Sequence, residues 1–199
     1  MGRPHEPQED KRRLAVIDYI TKSELRNFAN DLTFDARTTL RKSAKARSPA
    51  GATFLSHSSK DDDLVVGAIR VLEGHGATVY VDEIDPAMPP YTTKETAALL
   101  KTRIRQTGRF VLLASQNSKD SRWVPWELGI ADGYKGMDSI AIFPAAENSY
   151  EQSWASWEYL GLYRKIVWGD HSDYDKRIWM VLDEKAYTAT ELSRWLRGG

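Results

Sequence analysis

The chain has 199 residues, of which 41% are hydrophobic and 28% are charged, so it fits one globular domain of ordinary size rather than a disordered segment. Basic and acidic residues number 28 each, and this balance gives no net field that would draw the chain to nucleic acid or to an anionic membrane. The absence of cysteine excludes disulfides, thiolate nucleophiles and cysteine metal sites.

The start of the chain, residues 1–50, differs in pattern from the remainder. Residues 1–13 are polar, without the apolar stretch of a signal peptide, and no apolar run is long enough to span a membrane, so we expect a soluble, cytoplasmic protein. Thr21 and Glu24 have the spacing of a capping box. The apolar residues that follow at helical spacing are Leu25, Phe28, Leu32, Ala36 and Leu40.

This spacing predicts one amphipathic helix that ends in a basic run at residues 37–47. Because no aromatic residues interleave the run, a solvated helix face is favoured over a nucleic-acid patch. We assign residues 1–50 to an N-terminal helical extension.

Residues 52–144 alternate between strand and helix patterns. Short β-rich runs predict strands at 52–56, 77–82, 109–115 and 138–144. Helices are predicted at 61–76, after a Thr92–Glu95 capping box, and at 121–133, whereas 82–91 and 116–121 are expected to be loops. Buried strands that alternate with amphipathic helices indicate a parallel sheet with helices on both faces.

The pattern is less regular beyond Pro144. We expect a helix rich in Trp and Tyr at 150–160, a strand near 164–168 and a further strand at 177–183. Thr188 and Glu191 have the spacing to cap a terminal helix through Leu196. We assign residues 51–170 to the central domain and 171–199 to a C-terminal supplement packed on it.

Sheet topology indicates where a ligand would bind. In open parallel sheets, ligands bind beyond the carboxyl ends of the strands, where the strand order changes direction. For the common order 2-1-3-4-5, this point lies at loops 56–63 and 115–123. The second loop leads into SRWVPWELGIADG, in which Glu127 lies beside Trp123 and Trp126. Two interpretations are open: the tryptophans are core and Glu127 is on the wet helix face, or they form the wall of a cleft.

The loop at residues 56–60 also has two interpretations. Its hydroxyls, its amides and Lys60 could hold a phosphate or a ribose, whereas the simpler structure is a helix N-cap beside a solvated lysine. The acids at 61–63 complement the helix dipole and would repel a phosphate placed too close. The chain has no Gly-x-Gly-x-x-Gly, P-loop or Gly-x-Ser-x-Gly motif, and its four histidines lack ligand spacing. We therefore expect no dehydrogenase, P-loop ATPase or acyl-transfer chemistry, and no metal site.

Three segments in order resemble a bacterial Toll/interleukin-1 receptor (TIR) domain, across about residues 52–168. They are TFLSHSSKD, VYVDEIDPAMPP and FVLLASQNSKDSRWVPWELG. The resemblance implies a flavodoxin-like, doubly wound, mainly parallel five-stranded sheet with helices on both faces. It also implies cleavage of the nicotinamide–ribose bond of NAD, with Glu127 as the catalytic glutamate of a Trp-x-x-x-Glu pattern that begins at Trp123.

A solitary carboxylate suits this chemistry. Glycosidases use two acids because an alcohol leaving group must be protonated. Nicotinamide leaves from a pyridinium that is already cationic, so one carboxylate that stabilises an oxocarbenium-like ribose is enough. Asp82 and Glu83 end the second strand and could bind ribose, or could equally form the turn. The predicted substrate contacts are Ser56, His57, Ser58, Lys60, Asp82, Trp123 and Trp126, with NAD as the substrate and neither cofactor nor metal.

Single-TIR proteins of this shape resemble the TIR component of the Thoeris antiphage defence system. The resemblance implies a cyclic ADP-ribose-type messenger read by a separate effector, a phage trigger, and homo-oligomers formed by TIR–TIR contacts. Loop 82–91, which contains Met88 and Tyr91, is a predicted lid or self-association surface. A plain NAD-depleting hydrolase and a non-enzymatic TIR adaptor remain alternatives, and the presence of Glu127 with its tryptophan favours the enzyme.

Overall fold

The computed structural model describes residues 17–82, 93–148, 151 and 159–198. The strands in these ranges are β1 (Ile17–Asp18), β2 (Ile20–Thr21), β3 (Thr53–Ser56), β4 (Val79–Tyr80), β5 (Arg109–Ala114), β6 (Ile140–Ala146), β7 (Arg164–Gly169), β8 (Ile178–Asp183) and β9 (Thr188–Glu191). The helices are α1 (Lys22–Asn30), α2 (Phe34–Ala46), α3 (Asp62–Gly74), α4 (Lys94–Gln106), α5 (Gln116–Lys119), α6 (Trp123–Lys135) and α7 (Leu192–Leu196).

The centre of the molecule is a parallel sheet in the order β4-β3-β5-β6-β7. This is the expected 2-1-3-4-5 order, and it confirms both the doubly wound class and the place of the switch between β3 and β5. The five-stranded count was too small, because β8 and β9 continue the sheet as antiparallel strands beyond β7. A strand was expected at 177–183, but a short β-rich segment does not indicate from its sequence which strand it pairs with or in which direction.

The N-terminal segment joins the same sheet. Its strand β1 pairs with the carboxyl end of β7, where Ile17 lies opposite Gly169, and β2 pairs with the carboxyl end of β6, where Ile20 lies opposite Ala145. Residues 17–21 therefore lie at the carboxyl edge of the sheet, the edge that carries the switch point. The proposed boundaries at residues 50 and 170 stay predictions.

The predicted single N-terminal helix is two helices. The Thr21–Glu24 capping box is confirmed at the start of α1, but α1 ends at Asn30. Thr33 has an extended backbone, and its hydroxyl accepts a hydrogen bond from the Ala36 amide, so it begins α2 as a second N-cap. The sequence predicted one helix because the apolar residues keep helical spacing across this interruption.

Three other local predictions were wrong. The cap of α4 is Thr93 rather than Thr92, which lies outside the described residues. The expected loop 116–121 contains α5, because Ser115 and Ser118 form a capping box. Residues 188–191 form β9, and Glu191 precedes α7 without a side-chain cap.

Two predicted features cannot be compared in full. Most of the expected helix at 150–160 lies outside the described residues, as do Glu83, Met88 and Tyr91 of the loop after β4. Among the helices within the described ranges, none has the length and apolar character to cross a bilayer.

Apolar side chains cover both faces of the sheet. One cluster joins the sheet to α1, α2, α3 and α7, and includes Leu25, Leu55 and Trp195. The other joins it to α4 and α6, and includes Phe110, Ile104 and Leu128. The helices α1 and α3 cross without clearance, since a Cβ built on Gly67 would lie 2.1 Å from the Leu25 carbonyl oxygen. Only glycine permits this approach.

Candidate functional site

Buried polar residues concentrate at the switch point. Nine polar or charged residues are buried within the described ranges, and six of them lie where β3 and β5 end or on α6. These six are Ser56, Ser58, Asp61, Ser115, Ser118 and Glu127. Burial of polar groups costs free energy unless each group finds a hydrogen-bond partner. A cluster of buried polar groups at one sheet edge therefore indicates a candidate binding or catalytic site.

Ser56 and Glu127 form the centre of this site. Ser56 is the last residue of β3, and its hydroxyl donates a 2.5 Å hydrogen bond to Oε2 of Glu127 in the second turn of α6. Glu127 is only 5% exposed. Topology and resemblance therefore predicted correctly that loop 56–60 and Glu127 come together. Of the two interpretations of Glu127, the wet helix face is wrong.

Burial has a large effect on the Glu127 carboxyl. Loss of hydration raises its pKa to about 8, and the negative charge of Asp82 adds to the rise, whereas the Ser56 hydrogen bond opposes it. At neutral pH the carboxyl is therefore mostly protonated in the free protein. A cationic ligand beside it would favour the carboxylate.

Asp82 was predicted to end the second central strand, but β4 ends at Tyr80 and Asp82 lies two residues beyond it. Its carboxylate accepts a 2.5 Å hydrogen bond from the Arg103 guanidinium of α4, and its side chain is 8% exposed. The charge of Asp82 also contributes to the raised pKa of Tyr80, of about 12, for which burial is the main cause. Asp82 is thus an ion-paired acid whose charge contributes to the raised pKa of Glu127.

Trp123 and Trp126 contact each other rather than standing apart as two walls. Their rings meet edge to face with centroids 5.3 Å apart, and both pack as partly buried residues against the cluster under α4 and α6. The Lys101 ammonium lies 5.7 Å from the centre of the Trp126 ring. Trp123 is one helical turn before Glu127, on the same face of α6.

The remaining predicted contacts occupy the turn after β3. Ser58 is buried, and its hydroxyl accepts a hydrogen bond from the Lys60 amide, as in the N-cap interpretation. The Lys60 side chain is exposed. His57 is 10% exposed, and its Nε2 lies 3.7 Å from Oδ1 of Asp62.

Asp61 is a site residue that sequence analysis missed. It is 1% exposed, and its carboxylate accepts hydrogen bonds from the Ser115 hydroxyl at 2.5 Å and the Asn117 amide at 2.7 Å. It therefore ties the loop after β3 to the loop after β5 across the switch point. As the first of three consecutive aspartates it looked like a helix-dipole acid, and no sequence signal distinguished it from Asp62 and Asp63.

A family model described as the TIR domain matches residues 53–180, which run from β3 into β8 and cover well over half of the chain. The chain belongs to the TIR-domain family. The matched residues include the whole switch-point site, whereas α1 and α2 precede them.

Two curated relatives of this TIR-domain chain carry names that state a reaction. One, from Bacillus cereus (strain MSX-D12), is named probable 3' cyclic ADP-D-ribose synthase ThsB' and is 36% identical over 147 residues, 72% of this chain and 74% of the relative. The other, from Cytobacillus dafuensis, is named putative cyclic ADP-D-ribose synthase TIR2 and is 31% identical over 78 residues, 38% of this chain. This second match spans only 21% of the relative's own length.

Proposed function

We propose that this TIR-domain protein cleaves the nicotinamide–ribose bond of NAD and closes the ADP-ribose part into a cyclic signalling nucleotide. The main support is the buried Glu127 carboxyl at the switch point, held by Ser56. Both relatives are named as cyclic ADP-D-ribose synthases, which agrees with this reaction class.

The reaction needs one carboxylate. The bond between the ribose C1′ and the pyridinium nitrogen breaks, and neutral nicotinamide leaves with the bonding electron pair. The positive charge remains on the ribose as an oxocarbenium ion, which the Glu127 carboxylate stabilises from within a site of low dielectric. A nucleophilic group elsewhere on the same ADP-ribose then attacks C1′ and gives the cyclic product, whereas attack by water would give the hydrolase product.

The reaction needs Glu127 as a carboxylate, and the cationic substrate favours that form. Free Glu127 holds its proton because burial opposes the charge. The pyridinium ring supplies a positive charge beside it, so binding lowers the pKa and releases the proton as the charge is needed. We assign Glu127 the catalytic role, and assign substrate contacts to His57, Ser58, Lys60, Asp82, Trp123 and Trp126, with Ser56 acting both on substrate and on Glu127.

The wider proposal concerns partners. The cyclic product is a diffusible messenger in antiphage defence, read by a separate effector protein, and a phage component is the trigger. The active form is a homo-oligomer built by TIR–TIR contacts in the cytoplasm. The name of the Bacillus cereus relative is the observation that favours a messenger over plain NAD depletion.

The test compares wild type with Glu127→Gln, which keeps size and the Ser56 hydrogen bond but cannot ionise. Glu191→Gln on β9, at the far edge of the sheet, is the matched control. Purified proteins are incubated with NAD, and extracts of induced, phage-challenged cells are assayed for remaining NAD. The products of both are identified by mass spectrometry.

We expect nicotinamide and cyclic ADP-ribose from wild type and Glu191→Gln, and neither from Glu127→Gln. Linear ADP-ribose alone would indicate the hydrolase. Equal NAD loss in all three proteins would remove Glu127 from its role. No turnover in either purified protein or challenged cells would overturn the enzyme and leave the TIR adaptor.

A further inference from the structure

The N-terminal helices touch the substrate loop through one acid. Arg41 of α2 places Nη2 2.5 Å from Oδ1 of Asp62, the first residue of α3. The same oxygen lies 3.7 Å from Nε2 of His57 in the loop after β3. One carboxylate oxygen therefore faces a cation from outside the matched TIR residues and a predicted substrate contact inside them.

The three groups interact as a unit. The His57 imidazole and the Arg41 guanidinium hold the pKa of the Asp62 carboxyl well below its usual range. His57 is mostly buried, whereas Asp62 is half exposed, and Arg41 and His57 are its side-chain partners among the described residues. Arg41 thus limits where the Asp62 carboxylate can lie, and that carboxylate limits the His57 ring.

The helix that carries Arg41 is itself anchored. The Val81 amide, one residue before Asp82, donates a 3.2 Å hydrogen bond to the Ala44 carbonyl oxygen of α2. Arg47 at the end of α2 pairs with Glu73 of α3. α2 therefore contacts both Val81, which follows β4, and Asp62, at the start of α3 after β3.

We propose that Arg41 is a positioning residue for substrate binding, which acts through Asp62 on His57. The proposal rests on the proposed function, because the measured ligand is NAD. It gives the N-terminal extension a place in the binding step, while the chemical step at Glu127 is left unchanged.

Arg26 provides the matched control. Like Arg41 it reaches from an N-terminal helix to the first turn of α3, with its Nε 2.6 Å from Oδ2 of Asp63. The Arg26–Asp63 pair is half exposed and makes no contact with His57 among the described residues. Arg26→Ala and Arg41→Ala therefore each remove one ion pair between an N-terminal helix and the first turn of α3, and only the Arg41 pair includes an acid that also faces His57.

In steady-state kinetics with NAD, we expect Arg41→Ala to raise KM about three- to tenfold and to leave kcat within about twofold. Arg41→Lys should recover part of the loss, and Arg26→Ala should match wild type. Arg41→Ala in a His57→Ala background should cause no further rise in KM. Equal effects of the two arginine variants, or additive effects with His57→Ala, would overturn the proposal.

A second readout does not need activity. The experiment records the ring signals of the four histidines by nuclear magnetic resonance, and the signal that is lost in His57→Ala identifies His57. We expect Arg41→Ala to shift the His57 ring signals and Arg26→Ala to leave them unchanged. If wild type fails to consume NAD, the proposed function is wrong, but the spectrum still tests whether Arg41 acts on His57. Unshifted His57 signals in Arg41→Ala would remove the contact even in an active enzyme.

Discussion

Ser56 and Glu127 are 71 residues apart in sequence and share a 2.5 Å hydrogen bond at the carboxyl edge of the sheet. The bond joins the end of β3 to the second turn of α6, so strand order and helix placement together create it. Among the described residues, the buried Glu127 side chain makes no other hydrogen bond. The hydroxyl therefore orients that carboxyl and opposes the rise in its pKa that burial causes.

Removal of this hydroxyl should alter the pH profile. Because the Ser56 hydrogen bond lowers the pKa of Glu127, Ser56→Ala should raise that pKa further and reduce the carboxylate fraction at pH 7. We expect kcat/KM for NAD to fall about tenfold, and its rise with pH to move to higher pH. Ser59→Ala, at an exposed serine in the same loop, should leave the profile unchanged. An unshifted profile in Ser56→Ala would contradict this role.

Asp82 should act in the opposite direction. Its charge raises the pKa of Glu127, and Arg103 would remain as an unbalanced cation after Asp82→Asn. Both changes favour the carboxylate, so the inflection in kcat/KM should move from about pH 8 to lower pH even if the absolute rate falls. Asp120→Asn, an exposed charge after α5, is the control. An inflection that moves upward would mean that Asp82 does not act through its charge.

The raised pKa also predicts how stability depends on pH. Unfolded Glu127 has its ordinary pKa of 4.5, whereas the folded protein holds the proton up to about pH 8. Between these values the folded state binds more protons, so the free energy of unfolding falls as pH rises. At pH 7 this loss in the free energy of unfolding, relative to a pH below 4.5, reaches roughly 3 kcal/mol. Glu127→Gln should abolish the loss because glutamine does not titrate.

Urea unfolding from pH 5 to pH 8 measures this effect. The difference in unfolding free energy between Glu127→Gln and wild type should grow with pH across this window. Glu191→Gln should follow wild type throughout. A constant difference between Glu127→Gln and wild type would show that the folded carboxyl titrates normally.

The switch point could be predicted from sequence because it depends on repeated local signals. Each buried strand and each amphipathic helix contributes its own periodicity, and parallel order then places loops 56–63 and 115–123 together. The contact of Ser56 with Glu127 follows from that order. The catalytic role that we propose for Glu127 comes from the resemblance to TIR domains, because composition alone left a solvated helix face open as an alternative.

The parts that failed depend on single side chains or on distant pairing. Thr33 splits the N-terminal helix through one hydroxyl, although the apolar stripe continues across it. The strand β9 exists because Thr188–Glu191 pairs with β8, a contact with no local signal. Asp61 differs from its two acidic neighbours only in the direction that its side chain takes after folding.

Asp61 should contribute more to stability than its neighbours in the acidic run. Asp61→Ala leaves the Ser115 and Asn117 donors without their carboxylate partner in a buried site, so we expect a loss of about 2–3 kcal/mol in the free energy of unfolding. Asp63→Ala removes only a half-exposed ion pair and should cost less than about 1 kcal/mol. A double-mutant cycle of Asp61→Ala with Ser115→Ala should be non-additive. Additive losses would mean that the two residues do not act as one tie.

Gly67 gives the sharpest test of how the N-terminal helices pack on the TIR domain. A Cβ at this position would lie 2.1 Å from the Leu25 carbonyl oxygen and 2.7 Å from its carbonyl carbon. These are backbone atoms of α1, so no side-chain rotation can relieve the overlap, and the helices must separate. We expect Gly67→Ala to lower the free energy of unfolding by at least about 3 kcal/mol.

Gly74 is the matched control, because it lies in the same helix and an added Cβ would meet no atom within 4 Å. Gly74→Ala should be neutral or stabilising by up to about 1 kcal/mol, since alanine loses less backbone entropy on folding. Chemical unfolding of both variants, followed by circular dichroism, measures the difference. If α1 were detached from α3 in solution, the two substitutions would have the same small effect on the free energy of unfolding, and the Arg26–Asp63 pair would not form.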